Sequence, residues 1–385
     1  MTRLSLPGMA EATALTRAGN LTEATARIQA LLRGAVPAAT DASGAAVDTP
    51  DTIEGSFTPL DPAPAKDQAS TPRRKPLGET LRTLARGGMP GSGARGPSQV
   101  NHDPRFTTHT YSGPEGSRDY MLYVPSGAET STIPVPVIVM LHGCTQSPLD
   151  FAAGTGMNRL AEAQGFLVVY PAQPTGANMN KCWNWFRPGD QARGAGEPAV
   201  LAAITRAVLV TQSADPTRVY VAGLSAGGAA AMVLGRAYPD MFAAVGVHSG
   251  LAAGAARDMP QAFAAMQGGA AGDIGKPGVP AIVFHGTADA TVAVANAGAV
   301  ARQAQHGLAG QRSVLRDTAQ GGRGYEAAVL TAADGRTLCE VWLIDGAGHA
   351  WAGGSMAGSY TDPTGPDASA EMLRFFVQHQ VIRSA

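Results

Sequence analysis

The chain has 385 residues, which suits one large α/β domain or two ordinary domains. Its 29 Lys and Arg residues balance 30 Asp and Glu residues, so the net charge of −1 gives no overall attraction to nucleic acid or to an anionic membrane. With 44% hydrophobic residues and three cysteines, the composition excludes a coiled coil, a collagen-like chain and a small disulfide-stapled protein.

Residues 1–34 predict a helical hairpin. Asn20 and Glu23 have the spacing of a helix capping box. The apolar residues after Asn20 recur on one helical face, namely Leu21, Ala24, Ile28, Leu31 and Leu32. We expect this face to dock within the molecule or to make a weak self-contact; the alternative is that it binds a separate partner or a hydrophobic particle.

Residues 35–103 predict a flexible linker. Ala, Pro, Gly, Thr, Asp and Ser dominate this segment, and no apolar period persists in it. Such a segment cannot bury enough apolar surface to offset the entropy that it would lose on ordering.

The N-terminus lacks the pattern of a secretory signal, because Pro7 and Gly8 interrupt its apolar run and Glu11 follows. The sequence contains no run of about 18 apolar residues, so no transmembrane helix is predicted. We therefore expect a cytoplasmic protein, with export by a non-standard route as the alternative. The three cysteines fit a reducing compartment, and since they lack metal-ligand spacing, no metal site is predicted.

Residues 104–385 predict a single α/β domain. The predicted strands are 106–111, 120–124, 135–141, 166–170, 219–222, 243–247, 281–284 and 341–344, and the predicted helices between them are 198–213, 226–237, 292–305 and 367–379. Asp334-Gly335 predicts a hairpin into the last strand. Alternating strands and helices indicate a mostly parallel central sheet with helices on both faces.

A nucleophile elbow is predicted at Gly223-Leu-Ser225-Ala-Gly227, which matches G-x-S-x-G. It follows the predicted strand that ends at Ala222 and precedes an Ala-rich helix, so a tight turn would expose the Ser225 hydroxyl. Glycine on both sides is expected because a side chain there would collide with neighbouring backbone.

A serine nucleophile needs a base, and the base needs an acid that orients it. Asp289 follows the predicted strand 281–284, and His349 follows the final strand, so both lie where open α/β sheets build their sites. We assign Asp289 as the acid and His349 as the base. Among the other histidines, His142, His248 and His285 are expected to be structural, and His102, His109, His306 and His379 are expected at the surface.

The backbone amides of Cys144 and Ala226 are the predicted oxyanion-hole donors, because each lies where such a donor is needed in this arrangement. The predicted substrate-contacting residues lie on loops near these donors and are Thr145, Gln146, Trp183, Trp185 and Trp351. The alternative is that the tryptophans pack the loops. A Cys144–Cys182 bridge would join two of these loops, and the sequence leaves it open.

Four segments together resemble the poly(3-hydroxybutyrate) depolymerase family of esterases: Leu141-His-Gly-Cys-Thr-Gln146, Cys182-Trp-Asn-Trp-Phe186, Gly223-Leu-Ser-Ala-Gly-Gly228 and Gly348-His-Ala-Trp-Ala-Gly-Gly354. The tail at 358–369 resembles it too, so the resemblance spans about residues 104–380. The set is also similar to feruloyl and acetylxylan esterases.

The resemblance implies an α/β-hydrolase fold, a Ser225–His349–Asp289 triad and no cofactor. It also implies an ester substrate, which we expect to be a polyester of the 3-hydroxybutyrate type, its oligomers or a small ester. The alternatives are a feruloyl or acetyl esterase, and a non-catalytic protein that binds polymer granules through the N-terminal hairpin. The oligomeric state stays open.

Overall fold

The computed structural model describes residues 103–128, 130–275 and 278–381. The predicted hairpin at 1–34 and the linker, except for its last residue, lie outside the described residues. Those two predictions therefore stay untested.

One large sheet organises the described part of the chain. Its strands are β1 Phe106–Gly113, β2 Gly116–Tyr123, β3 Val137–Leu141, β4 Leu167–Pro171, β5 Val219–Leu224, β6 Ala244–His248, β7 Ala281–Gly286, β8 Gln311–Thr318, β9 Gly324–Thr331 and β10 Thr337–Ile344. They lie side by side in the order β1-β2-β4-β3-β5-β6-β7-β10-β9-β8. Six central strands run parallel, in the spatial order β4-β3-β5-β6-β7-β10. Antiparallel strands flank them at both edges, β1 and β2 on one side and β9 and β8 on the other. A separate two-stranded ribbon pairs β11 Trp351–Ala352 with β12 Thr361–Asp362.

Helices cover both faces of this sheet. They are α1 Pro148–Thr155, α2 Met157–Gln164, α3 Gly196–Thr211, α4 Ala226–Ala237, α5 Met259–Gly268, α6 Ala295–Ala304 and α7 Ala368–Phe376. Side chains of α3 to α6 pack in one layer with Val139 of β3, whereas α1, α2 and α7 pack in the other layer with Ile138 and Met140. Every residue of β3 is buried, because helices cover the strand on both sides and the sequence supplies an unbroken apolar run.

The mostly parallel sheet with helices on both faces is as predicted, and it is the α/β-hydrolase arrangement. The predicted strands and helices are present with their bounds shifted by a few residues, and the helix at 226–237 has the predicted bounds. The Asp334-Gly335 hairpin is confirmed, since β9 and β10 pair antiparallel and Gly335 has a φ of +86°. No helix within the described ranges is long and apolar enough to span a membrane.

The sequence prediction gave no bounds for seven of these elements: α1, α2, α5, β8, β9, β11 and β12. The helices α1 and α2 are eight residues each and meet at Gly156, which has a φ of +64°, so neither is long enough to show a clear period. All eight residues of β8 are exposed, so this strand carries no apolar signal. The expectation that His379 lies at the surface is wrong: its side chain is 1% exposed and packs against Phe375.

Candidate active site

Ser225 lies in the tight turn between β5 and α4. Its φ of 59° and ψ of −119° are strained for a residue with a side chain, and its N–H donates to the His248 carbonyl at 2.8 Å. The turn is possible because its flanking residues are glycines. A Cβ on Gly227 would lie 2.0 Å from the Leu141 carbonyl oxygen, and one on Gly223 would lie 2.4 Å from the Gly227 carbonyl carbon.

His349 and Asp289 form a buried acid–base pair. His349 Nδ1 lies 2.7 Å from Asp289 Oδ2, and the Asp289 side chain has no solvent exposure. Asp289 Oδ1 accepts the backbone N–H groups of Thr291 and Val292, both at 2.9 Å. Burial alone would raise the pKa of Asp289, but these donors and His349 outweigh it and hold the pKa below its usual value. The carboxylate is thus ionised and fixed toward the imidazole.

Backbone contacts hold the turns that carry this pair. Thr287 N–H donates to the Ile344 carbonyl at 2.9 Å, and Ala288 N–H donates to the Ala347 carbonyl at 3.0 Å. A Cβ on Gly286 would lie 2.3 Å from the Ala347 carbonyl oxygen, so only glycine permits this approach. The separation of Asp289 and His349 is therefore set by backbone next to the pairing of β7 with β10.

The two predicted oxyanion donors lie at the ends of β3 and β5. Within the described residues, neither the Cys144 nor the Ala226 amide hydrogen is taken up by a protein acceptor. Ala226 opens α4, whose first N–H groups have no acceptor in the preceding turn. Both amides are thus available to an anionic oxygen.

A second loop braces the Cys144 loop. Cys144 and Cys182 form a disulfide, and Thr145 N–H donates to the Asn180 carbonyl at 2.7 Å. The Trp183 indole N–H donates to the His142 carbonyl at 3.0 Å. The bridge that the sequence left open is therefore present in this structure.

Ser225, His349 and Cys144 share one small cavity. It measures about 10 Å³, which is room for about one water, and its wall is completed by Gly143, Leu224 and Tyr360. A larger cleft of about 260 Å³ lies beside the opposite ends of β3 and β5, but no histidine lines it. The larger cleft therefore lacks a nucleophile–base pair, and the candidate active site is the small cavity.

The predicted substrate-contacting residues are not all at this cavity. The tryptophans belong to the core, since Trp183 is 0%, Trp351 is 1% and Trp185 is 5% exposed. Trp351 donates its indole N–H to Ser369 Oγ and stacks on His248. In this structure the three indoles pack the loops and present no surface to a substrate, which corrects the expectation of a substrate wall.

Thr145 and Gln146 lie beside the cavity in different ways. Thr145 is exposed, and its hydroxyl lies 3.2 Å from the Tyr360 hydroxyl. Gln146 is buried: its Oε1 accepts the Gly143 N–H at 2.9 Å, and its Nε2 donates to Asp150 and Ser359. Gln146 therefore holds loops together, and Thr145 is the member of the predicted set with a free surface.

The three structural histidines are buried and neutral. His248 lies beneath Ser225 and accepts the Ala352 N–H at 3.0 Å, and burial lowers its pKa to about 3. His285 Nε2 contacts the Val292 carbonyl at 2.8 Å and lies 3.6 Å from Asp289 Oδ2, and burial lowers its pKa as well. Burial lowers the pKa of His142 to about 4. The structural expectation for all three is consistent with these positions.

Tyr360 is the cavity residue that the sequence prediction did not name. Its φ of +53° is strained for a tyrosine, and its ring reaches the cavity from a loop far along the chain. The available signal was its place in the 358–369 tail, which carried part of the family resemblance.

Comparisons with known proteins place the chain in a family. The family model described as Esterase PHB depolymerase matches residues 118–317. Poly(3-hydroxyalkanoate) depolymerase C of Paucimonas lemoignei is 37% identical over 250 residues, covering 61% of this chain and 58% of that protein. Feruloyl esterase B of Thermothelomyces thermophilus is 36% identical over 136 residues, covering 35% of this chain and 45% of that protein. The chain spans about half the length of the curated relatives that it matches.

Solved structures support the fold. The acetyl xylan esterase from Aspergillus awamori superposes with a TM-score of 0.56 at 19% identity, covering 71% of this chain and 99% of that one. At this identity the likeness concerns the fold alone.

Proposed function

Because the chain belongs to the esterase PHB depolymerase family, we propose that it is a serine carboxylic-ester hydrolase with Ser225, His349 and Asp289 as its triad. One observation carries the proposal. His349, which is paired with Asp289 at 2.7 Å, shares a cavity with a serine on a strained strand-to-helix turn. A core serine with a structural role would need neither the strain nor the oriented imidazole.

In the first step, His349 Nε2 takes the proton of Ser225 as its oxygen attacks the ester carbonyl carbon. Negative charge then develops on the carbonyl oxygen, where the Cys144 and Ala226 amides stabilise it. Asp289 holds the Nδ1–H tautomer of His349 and stabilises the imidazolium that forms. The tetrahedral intermediate collapses, and the alcohol leaves with the proton from His349.

In the second step, water hydrolyses the acyl-enzyme. His349 accepts a proton from the water as its oxygen attacks the acyl carbon, and returns the proton to Ser225 as the acid leaves. Both steps use groups of this chain alone, so the proposed reaction requires no metal and no organic cofactor.

For the substrate we propose an ester of the hydroxyalkanoate class, as polymer or soluble oligomer. The depolymerase C relative, with the longer of the two matches, supports this choice. So do three exposed apolar side chains that lie close in sequence to the 142–146 loop, its contacting segment and Tyr360: Leu149 at the start of α1, Met179 and Met356. These side chains are 41%, 89% and 62% exposed, and an apolar polyester can cover them where a charged substrate gains nothing.

A feruloyl or acetyl ester is the second candidate, and the feruloyl esterase B relative favours it. Rates on a 3-hydroxybutyrate trimer, methyl ferulate and an acetylated xylo-oligosaccharide, measured side by side, separate the two. We expect the highest kcat/KM on the trimer; a highest value on methyl ferulate or on the acetylated sugar would replace our choice.

The triad is tested with Ser225→Ala on a p-nitrophenyl ester. We expect turnover to fall by at least 10³-fold with an unchanged melting temperature, because Ser225 is the nucleophile and its side chain is at the cavity. A fluorophosphonate should label the wild-type chain at Ser225 and leave the variant unlabelled. Activity near that of the wild type in the variant would refute the assignment, and a wild-type chain that binds polymer without turnover would favour the non-catalytic alternative.

A further inference from the structure

Glu197 is a buried carboxylate that the proposed reaction does not use. It lies in the first turn of α3 and is 8% exposed. Its Oε2 accepts the Asn184 backbone N–H at 2.7 Å, and its Oε1 accepts Asn184 Nδ2 at 2.7 Å together with Gln173 Nε2. A carboxylate held by three donors in the interior fixes those donors firmly, since any of them left unpaired would be costly.

One path from Glu197 runs through Asn184 to a segment that contacts residues 142–146. Residues 142–146 carry the proposed donor Cys144 and form the oxyanion loop. Asn184 ends the segment 178–184, whose members contact the oxyanion loop at three points. Those contacts are the Cys182–Cys144 disulfide, the Asn180 carbonyl with Thr145 N–H, and the Trp183 indole with the His142 carbonyl. Glu197 therefore fixes the C-terminal end of the segment 178–184, through its hydrogen bonds to Asn184.

The other path runs through Gln173 and His142. Gln173 donates its side-chain amide to Glu197 and to the Cys182 carbonyl, and its backbone N–H donates to His142 Nε2 at 3.1 Å. An Nε2 that accepts must be unprotonated, so the proton of the neutral ring lies on Nδ1. His142 Nδ1 then donates to the Gly143 carbonyl at 2.8 Å.

The last contact in this path orients the oxyanion donor. The Gly143 carbonyl and the Cys144 N–H belong to one planar trans peptide, so they point in opposite directions. His142 Nδ1, together with the Gln146 N–H at 3.3 Å, holds the carbonyl on one side and so turns the Cys144 N–H to the other side; Cys144 and Ser225 both line the cavity.

We propose that Glu197 is a positioning residue of the oxyanion hole, which fixes the Gly143–Cys144 peptide through Gln173 and His142 and through the Asn184 brace. The proposal rests on the proposed ester hydrolysis, since an oxyanion hole has meaning only for acyl transfer. It also gives a role to the Cys182-Trp-Asn-Trp-Phe186 segment, whose indoles are too buried to meet a substrate.

The test is Glu197→Gln in the full chain. The amide replaces one acceptor by a donor that faces the donors of Asn184 or Gln173, so the path loosens while the side-chain volume is kept. We expect kcat on p-nitrophenyl butyrate to fall by about 10-fold or more with KM within twofold, because a displaced oxyanion donor acts on the transition state alone. The Ki of a trifluoromethyl ketone, whose tetrahedral adduct occupies the hole, should weaken by the same factor as kcat/KM.

Glu340→Gln is the matched control. Glu340 is 2% exposed and accepts the Trp342 indole N–H and Arg374, so it is a buried glutamate of similar bonding in β10, away from the cavity. We expect this control to lower the melting temperature and leave kcat and the Ki unchanged. If both variants lose kcat in proportion to their melting temperatures, Glu197 is merely structural and the proposal fails.

His142→Phe removes the side-chain donor to the Gly143 carbonyl, leaves the Gln146 N–H as its backbone donor, and tests the path itself. If Glu197 acts through His142, the double variant should lose no more than the larger single loss; additive losses would overturn that path. Should Glu197→Gln fail to fold, Gln173→Ala takes its place with the same expected results.

Two outcomes separate this proposal from the proposed function. Wild-type kcat and Ki in Glu197→Gln, with Ser225→Ala inactive, would refute the positioning role and leave the esterase intact. An active Ser225→Ala would refute both.

Discussion

The two sides of the cavity are held in different ways. On the side of Asp289 and His349, backbone groups of neighbouring turns contact one another directly, because β7 and β10 are paired and parallel. On the side of Cys144, β3 is paired in parallel with β5, but no backbone hydrogen bond in the described part of the chain joins residues 142–146 to the Ser225 turn. A disulfide, the Trp183 indole and buried polar side chains hold this loop instead. Sheet pairing can position catalytic groups when the turns beyond two paired strands hydrogen-bond to each other, whereas a loop without such bonds needs contacts from elsewhere in the chain.

The largest effect should come from Asp289→Asn on the acid–base side. The Thr291 and Val292 amides would hold the carboxamide oxygen, which leaves its NH₂ group facing His349 Nδ1 and favours the wrong tautomer. We expect kcat to fall by about 10⁴-fold with little change in the melting temperature, a loss seen for the equivalent substitution in serine proteases. Stopped assays at high enzyme concentration measure it, and a loss under tenfold would contradict the role of Asp289.

Gly227→Ala should break the contact between the elbow and the oxyanion side. The added Cβ would lie 2.0 Å from the Leu141 carbonyl oxygen and 2.7 Å from that of His142, and backbone cannot move away as a flexible side chain can. We expect a loss of stability of about 3 kcal/mol or more together with at least 10²-fold lower kcat. Gly176→Ala is the control, since nothing lies within 4 Å of its Cβ position, and equal behaviour of the two variants in urea unfolding would contradict this view.

Cys182→Ser should have a smaller effect, confined to the oxyanion side. The contacts of Asn180 and Trp183 remain, so the loop is loosened rather than lost. We expect kcat to fall by about 10-fold with KM nearly unchanged, which is less than the 10²–10³-fold cost of losing an oxyanion donor. Dithiothreitol should lower the kcat of the wild type to the same level and leave the variant unaffected; no response in the wild type would show that the bridge is dispensable.

The same disulfide bears on location. Disulfides persist in oxidising compartments, whereas the sequence analysis expects a cytoplasmic protein. The location therefore stays a prediction, which cell fractionation with thiol labelling can test.

Acid should weaken the fold in two separate stages. His142 and His248 have their pKa lowered by burial to about 4 and about 3, so below pH about 6.5 the unfolded chain binds protons that the folded chain excludes. Stability is then lost as the pH falls, by roughly 2 kcal/mol for each histidine at pH 5. Asp289, with its pKa held below the usual value, adds a loss only below pH about 4.

Urea unfolding at pH 7.5 and pH 5 measures the first stage. A flat unfolding free energy between these pH values would contradict the assignment of neutral buried imidazoles.

The elbow and the parallel sheet could be predicted because their signals are local. Gly223-Leu-Ser225-Ala-Gly227 sets its own turn, and strands such as β3 are unbroken apolar runs. Asp289 and His349 followed from the ends of two such runs, and the structure brings them within hydrogen-bond distance.

The remainder depends on contacts between distant residues. An indole in a loop has the same sequence signal whether it lines a cleft or fills a core, so the burial of Trp183 and Trp351 could not be foreseen. Tyr360 meets Thr145 across 215 residues of chain, and no periodicity reports such a meeting. The path from Glu197 to Gly143 joins three separate segments, each of which is unremarkable alone.

The strand order has a consequence for how this chain can change length. Because β7 and β10 are direct neighbours, the residues between Asp289 and His349 leave the sheet centre through α6, form β8 and β9 at its edge, and return as β10 beside β7. Insertions at the exposed Asp334-Gly335 turn would therefore lengthen the chain between acid and base without altering their separation. A second module inserted there would be carried at the edge of the sheet, away from the cavity.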